Sequence, residues 1–127
     1  MALKVLLVEE ETGKFKRGVD LFSTFTELGG KVVVNARSVA VNVLLDSADY
    51  YVGVDSSAGP ITVTLPDIAT VEVGQEFCIK DEVGQAVINP VTIEGNGALI
   101  DGESEFQLVA PREAIKCISR GSFWSII

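Results

Sequence analysis

The stretch YYVGVDSSAGPITVTLPD, residues 50–67, decides the fold class because it holds two strand patterns with a turn signal between them. In the second pattern apolar residues alternate with Thr62 and Thr64, which predicts a strand with one buried face. Pro66 ends that strand, since proline cannot donate to a hydrogen-bonding ladder. The Asp, Ser and Gly residues between the two patterns favour a turn. The stretch therefore predicts two short, consecutive β-strands.

The same pattern recurs toward the C-terminus at intervals of about ten residues, which is typical of all-β sandwiches and barrels. The predicted strands are residues 50–54, 61–65, 71–73, 76–80, 86–88, 91–94, 98–100, 106–110, 114–119 and the terminal FWSII. We expect no helix of ordinary length after residue 30. The sequence predicts an all-β fold: a small β-sandwich or barrel-like domain of short antiparallel strands with an N-terminal arm.

Valine dominates residues 31–45, KVVVNARSVAVNVLL. Val39, Val41 and Val43 alternate along this segment, and the opposite parity is also partly apolar. A strand that is apolar on both faces is usually buried between two layers or at a subunit contact. The three valines are therefore candidate interface residues.

Composition and charge change near residues 46–49 and divide the chain into two predicted parts. Residues 1–45, the arm and the Val-rich strand, carry six basic and five acidic residues, a net charge of +1. Residues 46–127, an acidic β-domain, carry four basic and thirteen acidic residues, a net charge of −9. This acidic body argues against binding to nucleic acid or to an anionic membrane, because both need a basic surface.

Neither a membrane span nor an export signal is predicted. Polar residues such as Arg37 and Asn42 interrupt the longest apolar runs, which fall short of the roughly 18 apolar residues that a spanning helix needs. The acidic triplet at residues 9–11 comes too early for a signal peptide. We therefore expect synthesis in the cytoplasm.

No histidine is present in the chain, which excludes Ser-His-Asp and Cys-His catalysis. Cys78 and Cys117 lack metal-ligand spacing and are predicted to be reduced thiols. We predict no enzyme activity, no metal and no cofactor. Two alternatives stay open, polysaccharide hydrolysis by a carboxylate pair and a calcium site, although turn and surface carboxylates are far commoner. The candidate residues are Asp55, Glu94, Asp101, Glu103 and Glu105 for hydrolysis, and Asp46, Asp49, Asp55 and the 101–103 turn for calcium.

Four segments taken together resemble a β-module that recurs in bacteriophage fibres and in head or tail appendages. They are YYVGVDSSAGPITVTLPD (50–67), GQEFCIKDEVG (74–84), VTIEGNGALIDGE (91–103) and IKCISRGSFWSI (115–126). The order and spacing of the segments carry the resemblance, because each segment alone is a weak signal. The resemblance implies a β-rich body, a homotrimer, and attachment to the particle through the N-terminal segment.

The hydropathy of the chain is that of a protein which assembles with other chains. The chain is 47% hydrophobic with a mean hydropathy of +0.35, which is high for a small monomer, since a domain of this size cannot hide all its side chains. Some apolar surface should therefore be covered by other chains. With the resemblance to phage modules, this leads us to expect a bacteriophage virion structural protein, made in the host cytoplasm and located in the virion. The first expectation is a trimeric capsid decoration (cement) protein that binds the major capsid protein or another shell protein and stabilises the head. The alternative is a short head or tail fibre protein with a receptor- or carbohydrate-binding tip.

Three groups of residues are predicted to form the docking and trimer contacts. For the basic stretch, residues 14–17, the alternative to docking is a solvated turn. For the apolar residues that follow it, the alternative is packing in a local core. The valines were assigned above on their alternation. The predicted interface residues are Lys14, Phe15, Lys16 and Arg17; Leu21, Phe22 and Phe25; and Val39, Val41 and Val43.

Overall fold

The computed structural model describes residues 29–127, of which 34–127 form one compact unit. This unit contains nine short strands and a single 3₁₀ turn at Ile68–Thr70. The strands are β1 (Ala36–Val39), β2 (Val43–Leu44), β3 (Tyr51–Val54), β4 (Ile61–Thr64), β5 (Glu76–Asp81), β6 (Val91–Glu94), β7 (Glu105–Leu108), β8 (Ala114–Ser119) and β9 (Trp124–Ile126). Seven predicted docking residues lie outside the described residues: Lys14, Phe15, Lys16, Arg17, Leu21, Phe22 and Phe25.

The strands form two sheets that enclose a common core. Sheet 1 has the order β1-β3-β5-β8-β9 and sheet 2 the order β2-β4-β6-β7. The first three strands of each sheet are parallel, and the remaining pairs are antiparallel. Because the chain alternates between sheets, β1–β2, β3–β4 and β5–β6 are three successive rungs of a short two-sheet β-solenoid.

The predicted all-β fold is confirmed for residues 29–127, but its predicted strand arrangement needs correction. The two sheets are not closed into a barrel, and antiparallel pairing is confined to the last strands of each sheet. Parallel neighbours usually require a helical crossover. Here each crossover is the strand of the opposite sheet, so parallel pairing arises without any helix. No helix of residues 29–127 is long and apolar enough to cross a membrane.

Three predicted strands are absent from the described part of the chain, those at residues 71–73, 86–88 and 98–100; the last of these holds only isolated bridges at Ile100. Residues 71–73 follow the 3₁₀ turn as bends and turns, and residues 86–88 form a turn in which Gln85 accepts the N–H of Ile88 at 3.0 Å. Both segments contain Val or Ile, which explains the wrong prediction. Their backbone groups bond locally instead of to a neighbouring strand.

Alternating side chains from both sheets fill the core. Val63 of sheet 2 and Phe77 and Ile79 of sheet 1 are completely buried. Phe77 meets Trp124 edge to face, with ring centroids 5.6 Å apart. The Trp124 side chain is fully buried, and its indole Nε1 has no hydrogen-bond partner among the described residues. Trp124 thus belongs to the core near the C-terminal end of sheet 1.

Candidate assembly site

Strand β1 is an edge strand of sheet 1 among residues 29–127. The carbonyls of Asn35 and Val39 each accept a hydrogen bond of 2.9 Å from the β3 segment. Backbone groups alternate in direction along a strand, so the N–H and C=O of Ala36 and Ser38 point away from β3, to a side where the described residues add no further strand. Such unpaired groups are a template for a strand from another chain.

The opposite edge of sheet 1 is capped by the chain itself. Trp124 N–H donates to the Leu99 carbonyl at 2.8 Å, and its own carbonyl accepts the Asp101 N–H at 3.0 Å. The Asp101 carboxylate accepts the N–H of Ile126 at 3.0 Å. At the same end of the molecule, edge strand β7 of sheet 2 carries the exposed Glu105. Capping and charge protect the C-terminal end against strand addition, whereas no residue between 29 and 127 caps the β1 edge.

Charge is nearly absent from the first rung. Arg37 is the single charged residue between 34 and 45, and its guanidinium pairs with the Asp49 carboxylate at 2.9 Å. Edge strands that avoid association usually carry unpaired charges or proline. The first rung is therefore a neutral surface on an otherwise acidic molecule.

The predicted interface valines divide into two kinds. Val39 and Val43 lie opposite Val54 and Val63 of the next rung, and both are partly buried against the core. Val41 lies in the connection between β1 and β2 and is 71% exposed. The structure thus places Val41, and not its two neighbours, where another chain can cover it. Docking by all three residues stays a prediction.

Asp81 is a structural residue that sequence reasoning missed. It is completely buried at the end of β5, and its carboxylate accepts five backbone N–H bonds. Oδ1 accepts from Val83 at 3.2 Å, Gly84 at 3.0 Å and Gln85 at 3.3 Å, and Oδ2 accepts from Ala86 and Arg112 at 3.0 Å each. Burial raises the pKa of Asp81, but these donors outweigh burial and hold it below its usual value. In the sequence, residues 81–84 (DEVG) follow a predicted strand and indicate only a turn.

The carboxylates considered for hydrolysis, Asp55, Glu94, Asp101, Glu103 and Glu105, lie in turns or at strand ends. No group of three or more His, Cys, Asp or Glu side chains in residues 29–127 is arranged to hold a metal ion. Asp55 bonds the backbone N–H of Ser57 at 2.9 Å and its hydroxyl at 2.5 Å, and these bonds lower the pKa of Asp55. This carboxylate therefore stabilises its own turn.

Both cysteines are free thiols. Cys117 is completely buried with its Sγ 3.8 Å from the Phe77 carbonyl, and burial raises its pKa to about 12. Cys78 alternates with the buried Phe77 and Ile79, so it points to the outer face of sheet 1. A thiol with so high a pKa is a poor nucleophile at neutral pH. Cys117 is accordingly a core residue.

Comparisons with known proteins identified no relative. A scan against protein-family models and a search of curated proteins both found no match to the chain.

Proposed function

We propose that the chain is a bacteriophage virion structural protein, a homotrimeric decoration (cement) protein that binds the outer shell and stabilises the head. The observation that carries this proposal is the β1 edge, which no residue of 29–127 caps and where the backbone groups of Ala36 and Ser38 point away from the sheet. Exposed apolar side chains lie in the same rung: Val41, in the connection after β1, is 71% exposed, and Leu44, in β2 of sheet 2, is 64% exposed. A sheet that is uncapped at one edge and capped at the other can accept a strand from another chain at the uncapped edge.

Binding proceeds by strand addition. A strand of the major capsid protein, or of another shell protein, pairs with the backbone of Ala36 and Ser38, while Val41 and Leu44 lose their contact with water. A contact that spans two shell subunits adds binding free energy that opposes their separation. The acidic body, residues 46–127 with net charge −9, projects outward and keeps neighbouring particles apart by repulsion.

A short head or tail fibre is the second candidate, and the solenoid favours it. Parallel rungs stack along one axis, and this is a geometry that builds shafts. A carbohydrate-binding tip gains no support from the aromatic residues, because such tips present an exposed ring platform. Tyr50 and Tyr51 are half-buried and Trp124 is fully buried.

Substitution at Ser38 tests strand addition directly. Ser38→Pro removes an N–H that no residue of 29–127 accepts and places a ring on the β1 edge, so the fold of these residues should survive. Particles assembled without the protein are mixed with wild-type protein, Ser38→Pro or the matched control Ser38→Ala, and bound protein is measured after pelleting. We expect Ser38→Ala to bind like wild type and Ser38→Pro to bind at least about tenfold more weakly, the loss of about 1.4 kcal/mol. Equal binding of both variants would contradict docking through β1.

The same particles separate the two candidate roles. A cement protein is required for shell strength, so particles lacking it should release their contents at a lower temperature, and added wild-type protein should restore the original temperature. A fibre protein is required for attachment, so its loss should leave heat resistance unchanged and reduce adsorption to cells. If neither property changes, a virion role is overturned.

A further inference from the structure

Residues 94–98, EGNGA, reverse the direction of the chain after β6. The N–H of Ala98 donates to the Gly95 carbonyl at 3.2 Å. Between them, φ is 55° at Asn96 and 91° at Gly97, which are the angles of a type I′ turn. Both central residues are exposed. The turn therefore presents an Asn-Gly pair to water.

Asparagine is a thermolabile residue, and an asparagine followed by glycine can modify its own side chain. The backbone nitrogen of the glycine gives up its proton to water and attacks the side-chain carbonyl carbon, Cγ. The N–Cγ bond forms, the Cγ–Nδ2 bond breaks, and Nδ2 takes up a proton and leaves as ammonia. Water then opens the five-membered succinimide ring at one of its two carbonyl carbons. The product is aspartate in a normal backbone, or isoaspartate in a backbone that is longer by one methylene group.

The structure holds three of the chain's four asparagines in place with hydrogen bonds. Asn35 donates from Nδ2 to a carbonyl of the 46–49 turn at 2.5 Å. Asn42 accepts a backbone N–H of β4 at Oδ1, at 2.8 Å. Asn89 donates to a carbonyl of the connection between β3 and β4 at 2.8 Å. A side chain fixed in this way does not swing toward the next backbone nitrogen, so these three asparagines are protected.

Asn96 differs from the other three asparagines at both reacting atoms. No residue of 29–127 hydrogen-bonds its side chain, and none accepts the N–H of Gly97. Gly97 also has no Cβ to obstruct the ring, whereas Asn42 precedes a β-branched valine. Asn89 precedes proline, whose nitrogen has no proton to lose. Among the asparagines, all of which lie in the described part of the chain, Asn96 alone combines an unbonded amide with an unhindered neighbour.

Opening of the turn controls the rate of the reaction. The first central residue of a type I′ turn has ψ of about +30°, which directs the Gly97 nitrogen away from the Asn96 side chain. The ring closes only after the Cα–C bond of Asn96 has rotated, and this rotation breaks the hydrogen bond between Ala98 and Gly95. A single exposed turn bond opens far more readily than a strand ladder. The fold therefore slows the reaction at Asn96 without preventing it.

The turn leads directly into the residues that cap β9. The Leu99 carbonyl accepts the Trp124 N–H at 2.8 Å, and the Asp101 N–H donates to the Trp124 carbonyl at 3.0 Å. On the other side of the turn, the N–H of Gly95 donates to the Ser104 carbonyl at 3.1 Å. Bonds on both sides thus set the length of backbone that fits between Gly95 and Leu99. An extra methylene group in the backbone at position 96 forces one side of this arrangement to move.

We propose that Asn96 is a site of spontaneous covalent modification, and that its isoaspartate product releases the cap on β9. Aspartate at this position keeps the turn, since Asp101 holds the same left-handed conformation, with φ 48°, in the neighbouring turn. Isoaspartate lengthens the backbone and shifts Leu99 away from Trp124. Sheet 1 then gains an edge at β9 that is open to strand addition. This change does not involve the β1 edge.

Incubation of the full-length chain at mildly alkaline pH tests the site of modification. Peptide mass spectrometry at increasing times, with the unincubated protein as the baseline, measures conversion at each asparagine. We expect conversion at Asn96 at least about tenfold faster than at Asn35 or Asn42. In the control variant Asn96→Gly, which suits the left-handed turn, the main acidic product should not form. Equal conversion at the three positions, or an Asn96 that stays intact throughout, would overturn the assignment.

Hydrogen exchange tests the release of the cap. The isoaspartate form, separated by chromatography from the incubated protein, is compared with fresh wild type and with fresh Asn96→Asp, which carries the same added charge in a normal backbone. We expect the Trp124 N–H to exchange at least about tenfold faster in the isoaspartate form, and Asn96→Asp to exchange like wild type. Equal exchange in all three proteins would overturn the release of the cap. Fast exchange in Asn96→Asp would overturn backbone length as its cause.

Discussion

Replacing Asp81 with asparagine is expected to lower the free energy of unfolding by about 3 kcal/mol or more, a large part of the stability of a domain this size. The carboxylate accepts five backbone N–H bonds from two connections. Asparagine keeps the shape, but it offers one acceptor oxygen and turns an NH₂ group toward N–H donors that then have no acceptor. Urea unfolding followed by tryptophan fluorescence measures the loss.

Asp67→Asn is the matched control for that substitution. Asp67 is exposed and accepts one N–H, from Ala69 at 3.0 Å, at the start of the 3₁₀ turn. Asparagine caps such a turn about as well as aspartate, so the loss should stay within about 0.5 kcal/mol. Equal losses for Asp67→Asn and Asp81→Asn would show that the buried bonds of Asp81 contribute nothing particular to stability.

The contribution of Asp81 to stability should also depend on pH. The pKa of Asp81 is lower in the folded protein than in the unfolded chain, so its stabilising effect is complete above the unfolded value of about 3.9. That effect is lost as the pH falls through the folded pKa, because the unfolded state then binds the proton more readily. Wild type should therefore lose stability below about pH 4 more steeply than Asp81→Asn.

Gly95→Ala is the second substitution with a large expected effect, a loss of at least about 3 kcal/mol of unfolding free energy. Gly95 is buried after β6, and its carbonyl accepts the N–H of Ala98 at 3.2 Å. A methyl group on Gly95 would overlap the backbone carbonyl oxygen of Ala98 and press on Ile100. A backbone oxygen cannot move aside without opening the turn, so the turn and the bridge at Ile100 should both weaken. Urea unfolding measures this loss as well.

Gly53→Ala supplies the contrast. A methyl group there overlaps the Glu82 side chain, whose flexible end can rotate away over the outer face of sheet 1. The expected loss is under about 1 kcal/mol, since one side chain changes its rotamer and the backbone stays in place. If Gly53→Ala proved as costly as Gly95→Ala, the backbone clash would not explain the effect.

The sequence predicts most of the strand positions, but it does not predict whether neighbouring strands pair parallel or antiparallel. Alternation in ITVT and EFCIKD identifies β4 and β5, because a strand with one buried face shows the same period in parallel and antiparallel sheets. In a sequence, parallel pairing is usually indicated by a helix pattern between two strand patterns, because the crossover between parallel strands is usually a helix. In this chain the second sheet replaces the helix, so the usual signal is missing.

The sequence also does not predict which carboxylates have a structural role. Asp81 and Glu82 are adjacent acidic residues in one turn signal, yet Asp81 is completely buried and Glu82 is exposed. Only the tertiary arrangement brings the N–H of Arg112 to the Asp81 carboxylate at 3.0 Å.

Sedimentation of the full-length wild-type chain across the micromolar range tests the central claim, that this protein works by assembling through surfaces its own fold leaves uncovered. We predict one dominant species with three times the mass of the 13.5 kDa chain, persisting on dilution to about 1 μM, since a trimer contact of specific size gives at least micromolar affinity. A chain that sediments at its single-chain mass throughout that range would contradict the claim.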